Sequence, residues 1–503
     1  MEQQLEKPET SMEVSEFHKP IFSEISTPTR NIIIQARAGS GKSTLCRSAV
    51  SLHPKEKTLM LMFGAKNAKD MQTKIKSMGI ETVTARTYHS VGYGALFSAF
   101  GDIKVTNDRM SKILDKHPAS SKLFPFQRTE ALNFINFVRN YSRINPKIIN
   151  LLAVKTGLRI KFDGFASSKV SLEEIEKVVF DCIKASACPP ENGEIDTEDM
   201  VYLPYVLNLR LPKYNRVYVD EAQDSSSVNR YMAMTCAASA NQLIIVGDDM
   251  QAIYAWRGAD KKSMSNFQKE SNSTTFPLPM SYRCSLAVAN LVKRRFVPDF
   301  QAHPLNREGS VSSIDYSDML DYAEEGDMIL SRTNSTLVRA VFRLFMRGKA
   351  ARIERSREDK NEDFGLKFIL NKHLDSSTKM MLSKIKKWTD VQVSSLEDDE
   401  AYAKAADIKE QFNLIMFLAE DTTFVSEIIK KINWLVELSK AENGITVSSI
   451  HRAKGAEAKN VFVLESSFSS KETPEETDNL KYVAYTRAIE NLYLVQGDGT
   501  NSY

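Results

Sequence analysis

Apolar runs along the chain stop abruptly at polar residues that carry chemistry. Ile32-Ile33-Ile34 leads into Ala36-Arg37-Ala38-Gly39-Ser40-Gly41-Lys42-Ser43. Val217-Tyr218-Val219 leads into Asp220-Glu221, and Leu243 to Val246 leads into Gly247-Asp248. Such unbroken apolar runs predict buried strands. A helix is predicted after the first run, from Thr44 to Ser51. Residues from about 100 to 195 show helical spacing, as in Thr129-Glu130-Ala131-Leu132-Asn133-Phe134-Ile135-Asn136-Phe137-Val138-Arg139, and Pro189-Pro190-Glu191-Asn192-Gly193 predicts the turn that closes them. Residues from about 350 to 443 form a second charged, mainly helical stretch. No internal repeat is visible.

A strand, a glycine-rich turn and a helix in that order make a phosphate-binding loop. Gly39 and Gly41 let backbone N–H groups face an anion. Lys42 can reach the outer phosphates, and Ser43 can offer its hydroxyl to Mg²⁺. Ala38, Ser40 and Thr44 complete the expected nucleotide contacts, and Ala36 stands where the usual pattern begins with glycine. The alternative is a Gly/Ser turn before a surface helix, which the Gly-Lys-Ser ending disfavours. Two acids after a buried strand suit an ATPase: Asp220 is expected to hold the metal and Glu221 to polarise the attacking water. The alternative is a pair that caps the next helix.

At 503 residues the chain exceeds a single core and predicts more than one domain. Its net charge of +3 excludes an argument for nucleic-acid binding from bulk charge, so a local basic channel is needed. Cys46, Cys182, Cys188, Cys236 and Cys284 are odd in number and form no CxxC pair. They predict free thiols in a reducing compartment, rather than a zinc or iron–sulfur site. No secretory signal is expected at Met1-Glu2-Gln3-Gln4-Leu5-Glu6, and no apolar stretch is long enough for a membrane span. A cytoplasmic protein is expected, with the nucleus open. Lys293-Arg294-Arg295 is expected to be a solvated helix face.

Further strings identify a family. Asp220-Glu221-Ala222-Gln223-Asp224 resembles the "DEAQD" motif of the UvrD/Rep family of superfamily 1 helicases. Val246-Gly247-Asp248-Asp249-Met250-Gln251-Ala252-Ile253-Tyr254-Ala255-Trp256-Arg257-Gly258-Ala259 resembles its "VGDxxQxIYxWRGA". Thr87-Tyr88-His89-Ser90 resembles "TFHS", Ser281-Tyr282-Arg283-Cys284 "NYRS", and Ser331-Arg332-Thr333-Asn334 the "RTN" element. Ile450-His451-Arg452-Ala453-Lys454-Gly455-Ala456-Glu457 resembles "HxxKGLE", and Tyr482-Val483-Ala484-Tyr485-Thr486-Arg487-Ala488 "YVAxTRA". The segment Met62-Phe63-Gly64-Ala65-Lys66-Asn67-Ala68 departs from "TFTNKAA". His18 stands where relatives carry an adenine-reading glutamine.

The resemblance implies an α/β fold: two RecA-like P-loop domains with parallel sheets, each carrying a mainly helical insert, and ATP between them. The first domain is expected over 1–100 and 196–275 with insert 101–195. The second is expected over 276–349 and 444–503 with a shortened insert at 350–443. The expected catalytic residues are Lys42, Asp220, Glu221, the γ-phosphate sensor Gln251, and the arginine fingers Arg283 and Arg487. ATP and Mg²⁺ are the expected cofactors. His18, Tyr282 and Glu457 join the loop in holding the nucleotide, and Ser43 and Asp220 hold the metal. Phe63, Tyr88, His89, Tyr254, Trp256, Arg257 and His451 are the expected DNA contacts, with aromatic faces stacking on bases. The implied activity is an ATP-dependent DNA helicase moving on single-stranded DNA, 3′→5′ being the family's usual direction. Expected partners are single strands, single-/double-strand junctions and replication or repair proteins, with no membrane and a monomeric state. Two alternatives remain at this point: a translocase that displaces or loads proteins without processive unwinding, and a nucleotide-dependent kinase or switch with no nucleic acid.

Overall fold

The computed structural model describes residues 15–123, 125–141, 172–237, 240–254, 260, 262–354, 370, 376–398, 409, 412–413, 415–438, 443–468 and 473–497. The chain divides into two compact units. One comprises Met1–Leu152 with Lys169–Met280, and the other Ala153–Ser168 with Ser281–Tyr503.

The first unit is built on six parallel strands: β1 (Ile32–Ala36), β2 (Thr58–Met62), β3 (Val83–Thr87), β4 (Arg216–Val219), β5 (Gln242–Gly247) and β6 (Thr274–Leu278), in the order β3-β2-β4-β5-β1-β6. β2, β4 and β5 are buried along their whole length, as their unbroken apolar runs require. Apolar clusters flank the sheet. One holds Ile32, Ile34, Leu45, Met60 and Val246, and the other Ile33, Leu59, Leu61, Val219 and Ile245. The alternation of partners along β1 is the period-2 signature of a strand covered on both sides.

Helices α1 (His18–Ser26), α2 (Lys42–Val50), α3 (Ala65–Ser77) and α4 (Tyr88–Phe100) belong to this unit. So do α5 (Arg109–Lys116), α6 (Pro125–Tyr141), α7 (Leu172–Ser186), α8 (Asp199–Val206), α9 (Ser227–Cys236) and α10 (Ser263–Ser271). The helical insert is tied down by a buried charge network. Arg139 on α6 holds Asp196 through two bonds of 3.0 Å and also bonds Asp199, which accepts from Arg109 at 2.7 Å.

Gly92 on α4 lies against α8 so closely that a Cβ there would sit 1.6 Å from the Met200 carbonyl oxygen. Gly94, two residues on, has only Arg86 Nη1 at 4.0 Å. Gly92→Ala is expected to lower stability by about 1–3 kcal/mol or more by forcing the helices apart. Gly94→Ala is expected to raise it by up to ~1 kcal/mol through helix propensity. Thermal melts of the two variants check the pair, and equal melting temperatures would contradict the packing.

The second unit repeats the plan. Its strands are β7 (Ser310–Asp315), β8 (Met328–Ser331), β9 (Ala351–Ile353), β10 (Ile445–Ser449), β11 (Ala458–Leu464) and β12 (Ala488–Gln496), all parallel, in the order β7-β12-β11-β8-β10-β9. Its helices include α11 (Leu286–Arg295), α12 (Tyr316–Tyr322), α13 (Asn334–Met346), α14 (Thr378–Asp398), α15 (Val425–Leu438) and α16 (Pro474–Tyr485). This is the α/β architecture of paired parallel sheets expected from the sequence.

The described helices in the stretch expected as the second insert pack onto the second sheet. Met381 and Ile385 of α14 and Val425, Ile428 and Ile432 of α15 share one apolar cluster with Ile329, Val341, Leu344 and Val447 of the sheet layer. β9, placed in that insert by sequence, is the edge strand beside β10. Among the described residues no helix is long and apolar enough to cross a membrane. All five cysteines are free, four buried and Cys188 exposed.

Candidate functional site

The candidate residues of the first unit follow the carboxyl ends of β1, β2, β3, β4 and β5, where ligands of open α/β sheets gather. After β1 the chain turns through Arg37–Gly41, with Gly39 at φ +73° and Gly41 at φ +80°. No atom lies within 4 Å of a Cβ built on Gly41, so the left-handed backbone and not crowding calls for glycine. α2 then starts at Lys42, two residues earlier than the sequence pattern places it, with no acidic residue in its first turn. Its leading N–H groups and its dipole suit an anion. The Ser40 hydroxyl is buried without a hydrogen-bond partner among the described residues.

Asp220 and Glu221 follow β4. Glu221 takes φ +50° and ψ +43°, a left-handed conformation that non-glycine residues rarely adopt and that concentrates at functional turns. That turn leaves Glu221 Oε2 3.3 Å from Lys42 Nζ. Gln223 donates to the same oxygen. The Gln223 carbonyl accepts the Asp248 N–H at 3.0 Å, and Gln251 Nε2 donates to Asp248 Oδ2 at 2.7 Å. Arg37 Nη1 lies 2.9 Å from Asp249 Oδ1 and 3.4 Å from Asp248 Oδ1. A continuous chain of contacts therefore runs Lys42–Glu221–Gln223–Asp248–Gln251.

The charges are poised by burial. Burial first, and Glu221 second, push the Asp220 carboxyl up to about 7 against the pull of Lys42. Burial raises Asp248 too, opposed by Lys42 and Arg37. Burial lowers Lys42, but Glu221, Asp248 and Asp220 outweigh it and leave its pKa above the ordinary value.

Phe63, just past β2, is 42% exposed and stacks on Tyr254, their centroids 6.2 Å apart at 14°. Tyr88 differs from expectation. It is 2% exposed, lies in the core with Leu61 and Val91, and its hydroxyl is 3.4 Å from Ser225 Oγ. Its ring fills the interior at the start of α4 and presents no open face to a base. His89 is partly buried, and burial lowers its pKa against the opposing charge of Glu198. Trp256 and Arg257 lie outside the described residues. His18 is buried. Its Nδ1 accepts the Ser15 N–H at 3.2 Å, and its Nε2 has no partner among the described residues. The neutral ring therefore carries its proton on Nε2 and acts as a donor there.

In the second unit, the turn Ser281–Ser285 is pinned by Asn306 Nδ2, which donates to the carbonyls of Ser281 and Cys284 at 2.8 Å each. Tyr282 is 37% exposed and its other side rests on His303, centroids 5.0 Å apart at 28°. His303 and Asn306 support this turn, but neither lies in a recognisable motif, so sequence reading misses both. Arg283 pairs with Glu457, two expected site residues from distant motifs. Arg487 is 1% exposed. Its Nε bonds Val483 O at 2.9 Å, Nη1 bonds Ala456 O at 3.2 Å, and Nη2 bonds Thr486 Oγ1 at 3.2 Å. It anchors the segment that carries Glu457. His451 is partly exposed in the turn after β10.

A phosphate loop after the first strand, with acids after β4 and β5 of the same parallel sheet, defines a P-loop domain of the RecA-like class. The family model of the UvrD/REP helicase N-terminal domain matches residues 20–272, and that of the UvrD-like helicase C-terminal domain matches 444–495. The chain belongs to the UvrD/Rep helicase family. It is 24% identical over 295 residues to the ATP-dependent DNA helicase PcrA of Bacillus subtilis, covering 52% of this chain and 37% of that protein. It is 25% identical over 279 residues to a DNA helicase II homologue of Rickettsia felis, covering 51% and 41%. PcrA of Staphylococcus aureus is 22% identical over 286 residues, covering 53% and 38%. The alignments thus span about two fifths of each curated relative's length.

Proposed function

We propose that the chain is an ATP-dependent DNA helicase that moves 3′→5′ along single-stranded DNA toward single-/double-strand junctions. The observation that carries this reading is the contact chain from Lys42 to Gln251, because Gln251 lies three residues before Tyr254, the ring stacked on Phe63. A change at the phosphates is thereby coupled to an aromatic surface suited to bases.

In this reading Lys42 and the N–H groups at the start of α2 hold the phosphates of ATP. Glu221 orients the attacking water and takes its proton. Asp220 and Ser43 offer hard oxygen donors, and the Asp220 carboxyl is raised by burial first and by the neighbouring Glu221 second. Both features fit Mg²⁺, which takes few protein ligands beside phosphate and water. When bound, Mg²⁺ neutralises phosphate charge. Gln251 senses the phosphate through Asp248 and Gln223. Arg283, Arg487 and Glu457 are assigned to the phosphate side of the nucleotide and Tyr282 to its base, with Arg487 also holding the Glu457 segment through Ala456. His18 supplies one donor toward the base. His89, His451, Trp256 and Arg257 remain assigned to DNA, beside Phe63 and Tyr254. The division into two domains with one insert each is retained, with β6 carrying the first domain to Leu278 and β9 counted with the second sheet rather than the insert. We further assign the protein to an intracellular reducing compartment, to replication or repair, and to a monomeric state.

Strand displacement on 3′-tailed and 5′-tailed duplexes tests the reading. The 3′-tailed substrate is expected to unwind with ATP and Mg²⁺. Equal unwinding of both substrates contradicts the polarity. One observation favours a second reading, a translocase that clears proteins without processive unwinding: α14 and α15 share the core of the second sheet. That reading gains if bound protein is displaced from single strands while both duplexes stay intact.

A further inference from the structure

We propose that the outward face of α14 is a contact for single-stranded DNA, separate from the motif residues and made of lysines around one indole. The proposal rests on the reading that the chain works on DNA.

α14 has two unlike faces. Thr378, Met381, Ile385, Thr389 and Val393 are buried at spacings of three and four residues, which fixes the helix against the second unit. Away from that face Met380, Lys384, Lys387 and Val391 are exposed and Trp388 is 47% exposed, with Lys379 and Lys386 exposed on the flank. Helical spacing puts Met380, Lys384, Lys387, Trp388 and Val391 on one stripe. From Met380 to Val391 the stripe is about 16 Å long at 1.5 Å per residue, room for a few nucleotides. Between Lys379 and Val391 only Asp390 opposes the four lysines. Among the described residues none of those four lysines has an ion-pair partner.

Solvation alone accounts for the lysines but not for the indole and methionine set among them. A single strand matches both features at once. Its phosphates take the ammonium groups, and a base takes the indole face. Duplex DNA would use the lysines and leave the indole unpaired, because its bases are already stacked. An acidic peptide would do the same. No residue assigned to the nucleotide lies on α14, so changes to this face leave the hydrolytic groups in place.

The test uses the full chain, a labelled oligodeoxythymidylate, and two variants: Trp388→Ala and the double variant Lys384→Ala/Lys387→Ala. Trp388→Ala is expected to weaken binding roughly 5- to 150-fold, the range of one lost base stack, with the salt slope retained. The double variant is expected to reduce the log–log salt slope by about 1.4, at ~0.7 per phosphate contact on a single strand. Melting temperatures and DNA-free ATP hydrolysis are expected to match the parent chain. If the parent binds the oligonucleotide and both variants bind with the same affinity and slope, the α14 contact is overturned while the helicase reading stands. Loss of retention on polyglutamate with unchanged DNA binding also overturns it, in favour of an acidic protein partner. If the parent itself does not bind, both the contact and the helicase reading fall.

Discussion

Lys42→Ala is expected to reduce ATP hydrolysis by at least about 10²–10³-fold, equivalent to roughly 3–4 kcal/mol of lost transition-state stabilisation. The ammonium group lies at the first turn of α2, 3.3 Å from Glu221 and beside the buried Asp220 and Asp248. Its removal takes away the cation that faces the phosphates and leaves three carboxylates to repel one another. Those carboxylates would also repel the nucleotide, so affinity should fall together with turnover. The packed layer beneath is unaffected, since Leu45, Cys46 and Ala49 carry the buried face of α2. A folded protein with a near-normal melting curve and no turnover is the expected outcome. Turnover near the parent rate would remove the phosphate-loop assignment.

Glu221→Gln is expected to cost about 10²–10⁴-fold in kcat, the usual contribution of a positioned general base. The amide keeps the size of the side chain and can still accept from Gln223, but it cannot take a proton from water. Its left-handed backbone is unchanged, so the geometry of the turn after β4 should persist. Nucleotide binding should be retained or strengthened, because one negative charge leaves the neighbourhood of the phosphates. Single-turnover kinetics beside a binding titration separate these effects. Loss of binding with unchanged kcat would make Glu221 a structural cap and not a base.

Much of this organisation is legible in the residues. The apolar runs at Ile32, Val217 and Leu243 became β1, β4 and β5, because strands covered on both faces must be apolar throughout. The chemistry at their ends followed, because a strand of a parallel sheet delivers its next residues to the same edge as its neighbours. Boundaries were less legible. β6 runs to Leu278, and β9 sits where sequence placed the start of an insert. A short edge strand carries little pattern of its own, and only its pairing with β10 reveals it.

Side-chain direction was the least legible property. Tyr88 and Phe63 both follow strands and both match aromatic positions of the family. One is core and the other exposed, because Tyr88 opens α4 facing Val91 and Ala95, whereas Phe63 precedes the N-cap of α3. Arg487 lies in a motif string that does not show which groups its guanidinium meets. It bonds Val483, Ala456 and Thr486. His303 lies in no recognisable motif, and only its stacking under Tyr282 marks it. A short helical insert at 350–443 is an expectation from sequence, and the core that its described helices α14 and α15 share with the second sheet is a property of tertiary packing.

In the proposed helicase, nucleotide chemistry around Lys42 and Glu221 is coupled, through Gln223, Asp248 and Gln251, to single-stranded DNA. The most direct measurement is the rate of ATP hydrolysis by the intact chain, with Mg²⁺, as single-stranded DNA is titrated in. A rate that rises severalfold and saturates with DNA is the expected result, with Gln251→Ala hydrolysing slowly and responding little. A rate in the parent chain that is substantial without DNA and indifferent to it would contradict the coupling, and would favour a nucleotide-dependent enzyme or switch that uses no nucleic acid.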